Sequence, residues 1–147
     1  MMRSLFLLAP AIVALSACQP AQETSVTGAW VRLAAVSGNP SAAYFTIAAG
    51  PRDTTLTGVS TPAAARSEMH ESMKTGGMMS MAPVKLVAVR AGTNVAFAPG
   101  GKHVMLFGLK PDVKAGGTIA LKLTFASGQS VDTQAKVVGP ADDAPAQ

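Results

Sequence analysis

The sequence predicts an all-β domain, a β-sandwich of Greek-key type. Apolar and polar residues alternate with a period of two in segment after segment from Val26 onward, and glycine, proline and aspartate turns interrupt the alternation at short intervals. No stretch of this region keeps a helical period long enough to form a convincing long helix. Many short strands with regularly spaced turns lead to two packed sheets with Greek-key connections.

The elements follow in order. The chain begins Met1-Met2-Arg3 and runs into an apolar stretch from Leu5 to Leu15 that ends in Ser16-Ala17-Cys18, the plan of a bacterial export signal. The stretch is too short for a membrane span. The small-residue site is followed at once by the only cysteine of the chain, so it resembles a lipobox. Residues 1–17 are then a lipoprotein signal peptide, Cys18 carries the lipid, and residues 18–25 are a polar tether. This reading places the protein in the periplasm, held to a membrane. Gln19 in place of aspartate after Cys18 points to outer-membrane sorting under the common enterobacterial rule.

Residues 26–138 form the domain. Its clearest strands are the last two. Ile119, Leu121, Leu123 and Phe125 alternate with Ala120, Lys122 and Thr124, and Val131, Thr133, Ala135 and Val137 alternate with Asp132, Gln134 and Lys136. Both fit half-buried antiparallel strands. Earlier strands are expected at Val26 to Leu33, Ala42 to Ala48, Thr55 to Ser60, Ala65 to Met73, Met79 to Val89, Asn94 to Ala98 and Val104 to Leu109. The tail, 139–147, is rich in alanine, proline and aspartate and is expected to be frayed.

Cleavage before Cys18 leaves about 130 residues, enough for one core. Loss of Arg3 lowers the formal charge of +4 by one, and the remaining basic residues are scattered singly among few aromatics. A nucleic-acid partner is therefore not expected.

The chemistry concentrates in one stretch. The chain has two histidines and eight methionines, and every methionine beyond Met1 and Met2 lies between Met69 and Met105. The candidate ligands are His70, Met81, His103 and Met105, separated in turn by ten, twenty-one and one residues. Imidazoles with thioethers form a soft donor set that selects copper(I), whereas hard cations require carboxylates or carbonyls. His103 and Met105 stand two apart on an expected strand, so their side chains leave the same face. A hairpin folding at Gly76-Gly77 could bring His70 and Met81 side by side. Met69, Met73, Met78 and Met79 add thioethers that could form a route for the ion or a weaker second site.

Other readings of these residues exist. Methionine fills irregular core gaps, His103 could be a satisfied histidine at a sheet edge, and His70 could be an exposed strand residue beside Glu68 and Glu71. Catalysis by a histidine needs a partner, and no serine elbow, free thiol or carboxylate pair stands out, so no enzyme activity is expected. Zinc rarely accepts thioethers. A blue-copper site needs a cysteine thiolate, which the lipidated Cys18 cannot give.

The spacing from His70 to Met105, with Gly101-Lys102-His103-Val104-Met105 and Leu106-Phe107-Gly108-Leu109-Lys110, closely resembles the PCuAC family of bacterial periplasmic copper chaperones. Ala29-Trp30-Val31-Arg32 and Ala42-Ala43-Tyr44-Phe45-Thr46-Ile47 extend the resemblance, which runs from about Gly28 to Gly128. It implies a cupredoxin-like sandwich, related in plan to immunoglobulin-like folds. It also implies that one copper(I) is bound by His70, Met81, His103 and Met105, for delivery to the CuA centre of cytochrome c oxidase alongside Sco-type proteins. The lipobox departs from the simplest family pattern and implies a tethered chaperone. The histidine- and methionine-rich C-terminal extension of some relatives is missing, so copper(II) binding in a tail is not expected. A general copper buffer or resistance protein would use the same site, and a non-metal scaffold lipoprotein would use none of it.

Overall fold

The computed structural model describes residues 23–146. The export signal 1–17, Cys18 and most of the tether lie outside the described residues. Ten strands and no helix make up the described part. They are β1 (Ser25–Arg32), β2 (Ser41–Ala48), β3 (Thr54–Ser60), β4 (Ala64–Thr75), β5 (Met78–Pro83), β6 (Val87–Val89), β7 (Asn94–Phe97), β8 (Lys102–Leu109), β9 (Thr118–Phe125) and β10 (Ser130–Val138).

The strands hydrogen-bond in the order β5-β4-β8-β2-β1-β10-β9-β3-β6, with β7 added beside β2. The path folds over on itself. Ser67 of β4 donates its hydroxyl to the carbonyl of Val59 in β3, and Lys110 N–H donates to Ala63 at 2.8 Å. Between the two halves lies one core. It takes Val104 and Leu106 from β8, Ala43, Phe45 and Ile47 from β2, and Val31 from β1. Leu56 of β3, Leu121, Leu123 and Phe125 of β9, and Val137 of β10 come from the other half. Burying each such large aliphatic or aromatic side chain contributes about 1.5–3 kcal/mol, so the alternation read in β9 is the pattern that holds the domain together. The result is an all-β sandwich, as the sequence predicts.

Two features differ from the expected elements. The single strand expected from Met79 to Val89 is two strands at opposite ends of the path: β5 pairs with β4, and β6 pairs with β3. Pro83 has no N–H to continue a ladder, and after Val84, Lys85 and Leu86 the chain resumes with Val87 and Val89 buried in the core. Second, β10 pairs antiparallel with β9 as expected but also runs parallel to β1, with Trp30, Val31 and Arg32 opposite Lys136, Val137 and Val138. Parallel neighbours need a long crossover, here nearly the whole domain, so no local pattern announces them.

The N-terminal edge of the domain begins slightly earlier than expected, since Ser25 is already in β1 and Thr24 Oγ1 accepts the Gly50 N–H at 3.1 Å. Beyond β10 the described tail, 139–146, carries no strand. Within it Gly139 N–H donates to Asp142 Oδ2 at 2.6 Å, and the domain holds it through Arg32, which donates to the Asp142 carbonyl at 3.2 Å, and Lys136, which donates to the Ala146 carbonyl at 3.2 Å.

Candidate metal centre

The sheet register positions the candidate ligands. Strands β4 and β8 pair antiparallel, with His70 directly opposite His103, Glu68 opposite Met105 and Arg66 opposite Phe107. Directly opposite residues share a face, and along each strand the faces alternate. His70, His103 and Met105 therefore leave one side of the sheet, while Met69, Val104 and Leu106, each one residue away, enter the core on the other. A single pleat step separates what folds the protein from what it can bind.

The two imidazoles are fixed differently. His103 is 7% exposed, and its Nδ1 lies 2.9 Å from the Gly101 carbonyl. A carbonyl can only accept, so Nδ1 carries the hydrogen and Nε2 is left with its lone pair. The same Gly101 carbonyl also accepts the Ser72 N–H at 3.1 Å, tying the start of β8 to β4. The turn before it uses Gly100 at φ 83°, a left-handed conformation that suits glycine.

His70 has a side chain 14% exposed, with Nε2 3.1 Å from Glu68 Oε2. Its Nδ1 is buried and has no hydrogen-bond partner. A buried polar atom left unpartnered costs about 1–3 kcal/mol, and a bound cation would remove that cost. The His70 and His103 rings stand with centroids 6.0 Å apart and planes 33° apart, close enough for one ion to lie between them with bonds of about 2 Å. A carboxylate-rich site is a poor match, because no group of three histidine, cysteine, aspartate or glutamate side chains gathers to hold a metal among the described residues.

Met105 supplies one thioether, two residues from His103 on the same face. Met81 is placed less closely. Gly76 and Gly77, at φ 59° and 81°, make the two-residue hairpin turn expected between β4 and β5. With Thr75 opposite Met78, that turn sets Met81 opposite Ser72 and Pro83 opposite His70. Met81 thus shares the face of the histidines but is not side by side with His70. Like Met105 it lies one pleat repeat, about 7 Å, from the histidine row, but on the opposite side of that row and one strand out from His70, at 56% exposure.

The remaining methionines divide. Met69, 6% exposed, is core, as the packing reading has it. Met79 is on the histidine face beside Met81, Met73 and Met78 are on the opposite side of the hairpin, and all three are exposed. Sequence reasoning did not single out Glu68 and Arg66, which share the face of the histidines. Arg66 Nη1 lies 3.1 Å from Glu68 Oε1, and its guanidinium sits 4.2 Å over the Phe107 ring. The spacing Arg66, Glu68, His70 on a strand, every second residue, is the signal that could have revealed them.

The family described as "Putative lipoprotein LpqE-like" matches residues 24–137. A protein of Leifsonia xyli subsp. xyli described as "Putative lipoprotein Lxx21020" is 33% identical over 111 residues, a match that spans 75% of this chain and 66% of that relative, just under two thirds of its length. Among solved structures, the copper-bound PCuAC domain from PmoF2 shares the fold, with a TM-score of 0.67 at 19% identity over 83% of this chain and 97% of that one. The solution structure of CuI-DR1885 from Deinococcus radiodurans has a TM-score of 0.60 at 27% identity, covering 85% of this chain and 83% of that one. The sandwich is therefore the cupredoxin-like one of PCuAC domains, and by the extent of its match the chain belongs to the LpqE-like family of lipoproteins.

Proposed function

We propose that this protein is a copper(I) carrier of the cell envelope, with His70, His103, Met105 and Met81 as the ligands of one ion. The observation that carries the reading is the cross-strand pair His70 and His103, each with one ring nitrogen occupied and the other left to bind. Met105 on the same face adds a soft donor suited to copper(I). Likeness to the CuI-DR1885 structure supports the choice of metal. Met81 joins as the outlying ligand, which requires the hairpin to curl its side chain toward the histidine row.

The role is carriage, not catalysis. With only neutral ligands the ion keeps its positive charge and makes no thiolate bond, so transfer to a thiolate-bearing acceptor is favoured. Membership of a lipoprotein family supports a lipid anchor, which falls on Cys18, and the tether then holds the carrier at a periplasmic membrane surface. The acceptor we propose is the CuA centre of cytochrome c oxidase, directly or through a Sco-type protein.

A competition titration with copper(I) against a chromogenic chelator tests the site. Tight one-to-one binding is expected, lost by at least about a hundredfold in a His103→Ala, Met105→Leu double variant, beyond the 10–100-fold typical of outer-shell changes. No binding by the unaltered protein would end the copper reading. Oxidase activity in a deletion strain grown at low copper tests the acceptor: full activity would leave a general copper buffer.

A further inference from the structure

The face that carries the histidines also carries an ordered series of charged and aromatic side chains running up to His70. Phe107 and Arg66 share one row of the β4 and β8 pairing, and Glu68 and His70 follow in the next two rows of the same face. The Phe107 ring lies under the Arg66 guanidinium at 4.2 Å, Arg66 holds Glu68 Oε1 at 3.1 Å, and Glu68 Oε2 meets His70 Nε2 at 3.1 Å. Arg66 and Glu68 are 61% and 37% exposed, and an ion pair that open contributes about 0–1 kcal/mol to stability. Stability is a weak explanation for so directed an arrangement. Its geometric consequence is sharper: both carboxylate oxygens are engaged, one by Arg66 and one by the ring, so the carboxylate cannot turn away freely.

We propose that Glu68, braced by Arg66, is the positioning residue of the site. By accepting the Nε2 hydrogen it holds the His70 ring in the tautomer that presents bare Nδ1 to the ion. Without that acceptor the neutral ring would be free to carry its hydrogen on Nδ1, the atom that is buried and unpartnered here, and the metal-facing lone pair would be lost. Outer-shell carboxylates act on metal-bound histidines in this way in general. The two imidazoles are consequently committed to opposite nitrogens, Nδ1 in His70 and Nε2 in His103, because a carboxylate orients one and the Gly101 carbonyl the other.

The effect on copper(I) rests on the carrier reading above, but the tautomer does not, so the test has two readouts. Ring nitrogen NMR of the metal-free protein, at a pH where both rings are neutral, is expected to show hydrogen on Nε2 of His70 and on Nδ1 of His103. In Glu68→Ala the His70 signals shift to a tautomer mixture while those of His103 stay in place, and copper(I) affinity falls by about tenfold or more. Glu68→Gln, whose amide oxygen still accepts, keeps the His70 tautomer and stays within about threefold of the starting affinity, which separates positioning from loss of charge. A His70 ring protonated on Nδ1 in the unaltered protein, or one unchanged in Glu68→Ala, would overturn the proposal. Equal loss of affinity in both variants with the tautomer unchanged would overturn it too, by making Glu68 a direct or electrostatic partner of the ion. Failure of the unaltered protein to bind copper(I) would instead strike the carrier reading and leave the tautomer result to judge Glu68.

Discussion

Strand β9 and strand β5 belong to one hydrogen-bonded path, β9 inside it between β10 and β3, and β5 at its end beside β4. In β9 every second residue, Ile119, Leu121, Leu123 and Phe125, is buried. In β5 no residue is buried, and Met78, Met79 and Met81 are 76%, 62% and 56% exposed. The same backbone geometry serves packing in one strand and presentation in the other. What decides between them is whether both faces of the strand have a neighbour. The inner face of β9 meets the opposite half of the sandwich, whereas the hairpin beyond Ser72 extends past its last pairing with β8. Stability and binding should therefore separate cleanly between the two regions.

The largest test of that separation is Leu121→Ala. A fully buried leucine truncated in β9 is expected to cost about 2–5 kcal/mol and to lower Tm by about 10 °C or more, read by thermal unfolding followed through the single tryptophan, Trp30. Copper(I) affinity measured well below the transition should stay within about twofold. A collapse of affinity in a folded variant would break the comparison by coupling the core to the site.

Met81→Leu asks the converse question at the exposed end. Surface substitutions of this kind shift stability by no more than about 0.5 kcal/mol, so Tm should hold while copper(I) affinity drops by about tenfold, close to 1.4 kcal/mol. Met105→Leu should weaken binding more, since Met105 is on the same strand as His103, one pleat repeat from it, whereas Met81 is a pleat repeat and one strand removed from His70, on the exposed hairpin. The reverse order would mean that the hairpin closes over the site more tightly than its register indicates.

The smallest effect concerns a residue on the histidine face that is structural. Tyr44 lies on the face of Ala42 and Met105 and packs on Trp30 with ring centroids 4.5 Å apart. Burial raises its phenol pKa above the ordinary 10.0, and Arg32 partly offsets this. A raised folded-state pKa means that stability is fully present below about pH 10 and declines as pH rises through the folded value. Tyr44→Phe should flatten this alkaline decline in urea midpoints taken above pH 10 and leave copper(I) binding at neutral pH unchanged. Loss of binding would place Tyr44 in the site.

Much of this was legible because it is local. The alternation in β9 and β10, the Gly76-Gly77 turn and the shared face of His103 and Met105 all follow from periods of two and from glycine at positive φ. Even the offset of Met81 could have been read, since a two-residue turn at those glycines fixes which residue stands opposite which. The break between β5 and β6 was harder, because Pro83 to Leu86 interrupts an otherwise apolar run without a glycine. Glu68 was visible only as a neighbour of His70. The role proposed for it rests on Nε2 of His70 meeting a carboxylate while Nδ1 has no hydrogen-bond partner.

By itself the sequence determined the strands apart from the break between β5 and β6, the side of those strands that each residue takes, and the supply of two imidazoles and a group of thioethers with no cysteine in the domain. The tertiary structure alone decided that β4 lies against β8, so that His70 meets His103 across a gap of thirty-three positions, and that β1 runs parallel to β10 across nearly the whole domain. The reason is physical: alternation and turns are properties of a few adjacent residues. Strand neighbours far apart in the chain are chosen by how the buried faces of all strands fill one core together.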